Sequence, residues 1–276
     1  MTGRFAGPIL GLVFVLGGGI RDRVLAQVAP NRATTYLMPT DVGDVRALWV
    51  NPAGLAAREE AAVLLDLTVQ GPGSGGRLAQ VSTGFNARGL AFGYQRDNFT
   101  NGIHGHTYRL GLGGASRGLA FGVGVALYRG ATGGTGWDFG IRYDWRPQLT
   151  IGGAVRNVGK PTVRGQTLEA TFVPSITARP MGDWLALSAQ AAATRSAIGA
   201  YAVEARAVLP GARRMVLLAR LDTDRALHRR ALVFGLGFGL GHTNSVGLVG
   251  SFPGGGAQQN VLSAYGVSTR TPVHRR

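Results

Sequence analysis

The chain reads as an all-β protein, a transmembrane antiparallel barrel of about fourteen strands with a short helical segment folded ahead of it. Three observations predict this. Apolar residues alternate with a period of two, not 3.6, from Ala61 onward. The runs recur at nine to eleven residues, the length of a tilted strand crossing a bilayer. Short and long connections alternate, as they do in outer-membrane barrels.

The amino terminus comes first. Residues 1–26 have the pattern of a secretory signal, with Arg4 in the basic start and an apolar run from Ala6 to Ile20. Val24-Leu25-Ala26 offers small residues before a cut at Gln27. Residues 27–60 form an extended and helical segment with an Asn-Pro-Ala-Gly motif, and the barrel occupies 61–276. Within Thr40–Ala56, Asp41 and Asp44 suit the first turn of a helix, and Leu48 and Trp49 supply its apolar contacts. Pro52 ends the turn by biasing Asn51 away from helical backbone.

Fourteen strand runs follow, near 61–70, 78–86, 89–97, 104–113, 119–129, 136–145, 148–158, 166–178, 184–193, 200–209, 213–221, 230–240, 243–252 and 260–270. The run from Leu119 to Tyr128 is the clearest. Leu119, Phe121, Val123, Val125 and Leu127 share one face, and Ala120, Gly122, Gly124 and Ala126 the other. The run 136–145 sends Trp137, Phe139, Ile141, Tyr143 and Trp145 to one side and Asp138, Arg142 and Asp144 to the other. Trp137 and Trp145 lie roughly 26 Å apart along a strand, close to the spacing of two aromatic girdles once tilt is included. Trp184 joins that girdle. A soluble sandwich would bury the aromatic face. Here the charged face is also the small-residue face, which fits a narrow, packed lumen.

Lumen charges are expected at Asp66, Arg109, Asp138, Arg142, Asp144, Arg156, Glu204, Arg206 and Arg220, pairing across neighbouring strands. Pro174 removes one ladder hydrogen bond and marks either a wall gap or a bulge.

Net charge is +15, and Lys160 is the only lysine. The arginines are spread over the turns, not gathered on one face, which points to anionic lipid headgroups and away from nucleic acid. There is no cysteine, so thiolate metal sites are excluded. His104 and His106 share one side of a strand without a third ligand, so no metal site is expected. Asp97, Asp222, Asp224 and His228 fall in outer connections, but their spacing does not ask for catalysis. No enzyme activity and no cofactor are implied.

The stretch Asp44-Val45-Arg46-Ala47-Leu48-Trp49-Val50-Asn51-Pro52-Ala53-Gly54-Leu55, placed directly before a many-stranded barrel, resembles the FadL-like outer-membrane superfamily, which includes PorV/PorQ-type barrels. The resemblance implies a Gram-negative outer-membrane location and a plug inside the lumen containing Asn51, Pro52 and Ala53, with Leu48 and Trp49 as contacts. It implies passive passage of small hydrophobic solutes, with release through a wall gap such as one at Pro174. The outer loops are too short for the surface capture site of the large fatty-acid channels. That departure favours a minimal or PorV/PorQ-like barrel, an accessory holding a secretion or surface-attachment partner. A rim enzyme is the third reading. The sequence identifies neither solute nor protein partner, nor the oligomeric state.

Overall fold

The computed structural model describes residues 31–32, 34–57, 61–72, 75–99, 102–130, 133–163, 166–209, 211, 214–240, 243–254 and 260–270. The proposed signal, residues 1–26, lies outside them.

Fourteen antiparallel strands close into one barrel. They are β1 (Ala61–Gln70), β2 (Arg77–Ala87), β3 (Leu90–Asn98), β4 (His104–Ser116), β5 (Leu119–Gly130), β6 (Gly134–Arg146) and β7 (Leu149–Val158). After the ribbon β8 (Thr162–Val163) and β9 (Gln166–Thr167) come β10 (Thr171–Ala178), β11 (Leu185–Thr194) and β12 (Ile198–Leu209). The barrel finishes with β13 (Met215–Asp224), β14 (Arg229–Leu240), β15 (Asn244–Pro253) and β16 (Val261–Arg270). Ten residue pairs join β1 to β16, from Ala61↔Arg270 to Gln70↔Val261, so no sheet edge is left open. Successive strands pair except across the ribbon, where β7 pairs with β10.

Two tight turns show how the sequence sets the register. Arg88-Gly89 and Arg117-Gly118 both have positive φ at each position, +48° and +87°, then +50° and +81°. These signs fit two-residue turns whose twist matches the strands, and glycine carries the second position at no steric cost.

The expected run 166–178 divides. Gln166–Thr167 folds back on Thr162–Val163, pinned by the Leu168 amide donating to the Pro161 carbonyl at 2.9 Å, and the barrel strand starts only at Thr171. Trp184 likewise stands in a short 3-10 turn, η2 (Gly182–Trp184), before β11 rather than on it; it remains exposed at the turn end. Trp137 and Trp145 are exposed on β6.

Large apolar side chains face outward all round the barrel, among them Leu65, Phe121, Phe139, Val203, Phe234 and Leu248. A closed barrel with such a belt is at home only where lipid covers it. Among the described residues no helix is long and apolar enough to cross a membrane; the crossing elements are strands. Phe139, midway along β6, gives a direct check. Phe139→Arg should lower folding stability in lipid vesicles by about 2–4 kcal/mol, read from urea titrations. An unchanged midpoint would mean that this face meets water.

Candidate functional site: an internal segment and the wall that holds it

Residues 31–32 and 34–57 run inside the barrel. The segment enters near the loop end, where Asn31 Nδ2 donates to Ser82 Oγ (2.9 Å) and to Gln95 Oε1 (3.1 Å), and the Arg32 amide donates to Gln80 Oε1 (2.8 Å). Tyr36 and Met38 are buried. The Thr40 hydroxyl lies 2.8 Å from both Ser175 Oγ and Thr177 Oγ1 of β10.

Asp41 and Asp44 do not stand in a helical first turn, as the sequence suggested. The helix, α1, spans only Ala47–Val50 and has no acidic residue in its first turn. Asp44 binds Arg46 two residues on, at 2.6 Å. Asp41 pairs with Arg179, just after β10, and with Arg206 of β12, both at 2.7 Å. Burial alone would raise the Asp41 carboxyl, but the two guanidinium groups outweigh it and hold it below the ordinary aspartate range.

A helix of one turn leaves most of its carbonyls without intrahelical partners. Wall arginines supply them. Arg156 donates to the Val50 carbonyl through Nη2 (2.6 Å) and Nε (3.1 Å), and Arg109 Nη1 to the Leu48 carbonyl at 3.5 Å. Arg142 Nη1 does the same for Val42 at 3.3 Å. Cations at a helix C-terminus also meet the negative end of its dipole. Asn51, at φ −155°, breaks the helix and starts the 3-10 turn η1 (Pro52–Ala56). Its Oδ1 accepts from the Ala53 amide at 3.1 Å, while Nδ2 donates to the carbonyls of Pro39 (2.9 Å) and Ile141 (3.2 Å). Asn51 is fully buried, and its amide closes the segment against β6.

The apolar face of the segment lies on glycine. A Cβ placed at Gly84 or Gly93 would fall within 3 Å of the Trp49 ring, and one at Gly111 within 2.8 Å of Leu55 Cδ1. At Gly122 it would overlap the Pro52–Ala53 backbone, and at Gly140 the Asn51 amide oxygen. One inward glycine on each of five consecutive strands, β2 to β6, thus forms a shelf shaped to this segment. Val45, Leu48, Trp49 and Leu55 complete an apolar core with the wall residues Leu64, Ala91 and Val267.

The charged residues face the lumen in three groups. Arg109 and Asp138 pair at 2.6 Å, and Asp138 also accepts from the Asn157 amide at 2.9 Å. Arg142 meets Asp144 at 3.2 Å, and Thr150 donates to the same carboxylate at 2.7 Å. Arg220 meets Asp222 at 2.8 Å. Asp66 is buried and accepts from Thr68 Oγ1 at 2.9 Å, and Glu204 is buried on the strand position paired with Arg220. Pairing among wall charges is therefore part of the arrangement; the rest goes to the internal segment through Arg156 and Arg206. Sequence reasoning missed Thr40, Met38 and Arg179 as contacts, and it missed the shelf. The inward glycines were visible in the alternation, but what they make room for was not.

Pro174 points outward between Val173 and Ser175. The ladder from β10 to β7 is continuous through Pro174↔Gly153. On the β11 side it is interrupted at Val173 and Pro174, between Phe172↔Ala193 and Ser175↔Gln190. At the turn end, a polar cavity of about 560 Å³ opens between the segment and the wall, lined by Asp41, Arg142, Arg179, Arg206 and Trp184.

No known sequence family matches the chain, and no curated protein is similar to it in sequence. Solved structures are similar in fold. The toluene transporter TbuX of Ralstonia pickettii superposes with a TM-score of 0.55 at 13% identity, covering 81% of this chain and 92% of that one. The monoaromatic hydrocarbon channel CymD gives 0.54 at 11%, covering 84% and 94%. A FadL homologue of Pseudomonas aeruginosa gives 0.50 at 11%, covering 83% and 93%. Closed by fourteen strands and carrying its N-terminal segment inside, the chain has the fold of the FadL-like outer-membrane barrels.

Proposed function

We propose that the protein is a plugged outer-membrane channel for passive passage of small hydrophobic solutes, with residues 34–57 as the plug. The observation that supports this reading is how the segment is seated. It is joined to the wall by side-chain hydrogen bonds and ion pairs, and among the described residues no backbone–backbone hydrogen bond ties it to a barrel strand. Such a latch can open without unpairing a strand. The part of the wall under its apolar face is made of glycine with Leu64, Ala91 and Val267. A solute using that route must tolerate such a lining, and the interrupted ladder at Val173–Pro174 offers a sideways exit. TbuX and CymD, which share the fold, carry toluene and monoaromatic hydrocarbons by their names.

The test is uptake of radiolabelled toluene by Gram-negative cells that lack another channel for it. The chain should raise uptake above vector-only cells. Trp49→Ala, which empties the largest side chain from the shelf, should raise it further by several-fold. A buried Trp→Ala change removes about 3–5 kcal/mol of packing, most of which here holds the plug. Uptake at the vector level for both proteins would refute the channel. A stoichiometric protein partner retained when the barrel is purified gently from outer membranes would move the assignment to an accessory barrel of a secretion or surface-attachment system.

A further inference from the structure

The lipid-facing surface of β3, β4 and β5 carries three rows set by strand register. At the loop end Arg96 pairs with His106, and His106 with Arg129. One step deeper Tyr94 pairs with Tyr108, and Tyr108 with Leu127. Deeper again come Phe92, Leu110 and Val125. Arg96 and Arg129 are exposed, as are Tyr108, Leu110 and Phe92. A basic row, an aromatic row and an aliphatic row thus descend over three adjacent strands.

The rows are locally ordered. The Tyr94 hydroxyl and His106 Nδ1 are 2.8 Å apart, and the Tyr94 and Tyr108 rings lie 5.4 Å apart. Arg96 Nε donates to Asn98 Oδ1 at 3.1 Å, and Arg129 Nη1 to the Tyr128 carbonyl at 2.8 Å. Asp97, the acidic residue of β3, is buried on the lumen side, where Gln80 and Gln95 donate to it. The outward positions of these strands therefore present basic and aromatic groups without a carboxylate. Arg96 and Arg129 flank His106 on three adjacent strands, and an anion laid across the row meets both guanidinium groups.

With strands ~4.8 Å apart, the Arg96 and Arg129 backbones stand about 10 Å from each other, a span over which two phosphates can each meet one guanidinium. We propose that this face binds a bisphosphorylated glycolipid of the loop-side leaflet. Its phosphates sit on the Arg96–His106–Arg129 row and its acyl chains lie down the aromatic and aliphatic rows. The site is independent of whether a solute crosses the lumen.

The test is native mass spectrometry of the full-length, detergent-purified protein with three probes: diphosphoryl lipid A, phosphatidylglycerol and inorganic phosphate. One lipid A should be retained per barrel, with phosphatidylglycerol held several-fold more weakly. A basic residue near an anionic membrane surface is worth a factor of about 5, so Arg96→Gln with Arg129→Gln should weaken lipid A binding roughly 25-fold. Arg96→Lys with Arg129→Lys should keep most of it. The turn-end pair Arg88→Gln and Arg117→Gln should change nothing, and heat-dependent gel migration checks that each barrel is folded. Equal loss in the turn-end pair, equal retention of phosphatidylglycerol, or binding of inorganic phosphate with no retained lipid would each overturn the proposal.

Discussion

Gly122→Val should unseat the plug while leaving the barrel closed. The added side chain has no room, because the Pro52–Ala53 backbone already occupies the Cβ position. Backbone cannot rotate aside as a side chain can, so the cost falls at or beyond the upper end for overpacking, about 3 kcal/mol. That energy makes the released state roughly 100-fold more populated. Arg46 reports it, since in the folded protein its guanidinium is held by Asp44 and Tyr36 within the plug and lies 5.1 Å over the Tyr265 ring of the wall. Limited trypsin digestion in detergent should produce the fragment beginning at Ala47 about 100 times faster in the variant. The same change at Gly114, where a Cβ meets open space, should leave the rate unaltered. Equal rates for the two variants would show that the glycine shelf does not seat the segment.

The second large effect is expected at Asp41. Asp41→Ala leaves Arg179 and Arg206 close together on one side of the lumen without their shared carboxylate. Removing one partner of a largely buried ion pair costs about 3 kcal/mol. Amide exchange across residues 36–46 should accelerate by two orders of magnitude, while exchange in β3–β5 stays as it was. The same linkage gives a pH dependence. The Asp41 carboxyl is held below its ordinary value in the folded protein, so its contribution is fully present above the unfolded-state value, about 3.9, and disappears as pH falls through the folded value. The wild-type segment should therefore loosen under acid, and Asp41→Asn should be loose already at neutral pH. A wild-type segment equally protected at both pH values would remove Asp41 as the latch.

Much of the barrel could be read from residue alternation. Leu119–Tyr128 puts bulky side chains on one face and small ones on the other, a pattern only a strand can hold. Strand ends followed from turn chemistry, as at Arg88-Gly89. The run at 166–178 was misread because its alternation continues through residues that fold back on the loop. The pairing of Gln166–Thr167 with Thr162–Val163, closed by the Leu168 amide on the Pro161 carbonyl, separates ribbon from wall. The interior was less legible, for a physical reason. Asp41 lies 138 residues from Arg179 and 165 from Arg206, and nothing local distinguishes those arginines from the others that face inward. Read locally, an aspartate six residues before a helix looks like a helix-start residue. Its partners are chosen by where the internal segment packs on the wall, beside β10 and β12, which flank β11. Asn51 and Trp49 were legible as a motif, whereas the carbonyls of Val42, Leu48 and Val50 were not, because a backbone acceptor leaves no mark on the sequence.

The most direct test of a moving plug uses the absence of cysteine from the chain. Thr40 and Ser175 bring their hydroxyl oxygens to 2.8 Å, so Thr40→Cys with Ser175→Cys places two sulfurs within bonding reach at little steric change. Toluene uptake is then measured with the disulfide formed and after its reduction in the same cells. If the segment must shift for a solute to pass, uptake falls to the vector level when the bond is closed and returns on reduction. Equal uptake in both states would contradict the account, because the solute would then be crossing with the plug tied in place.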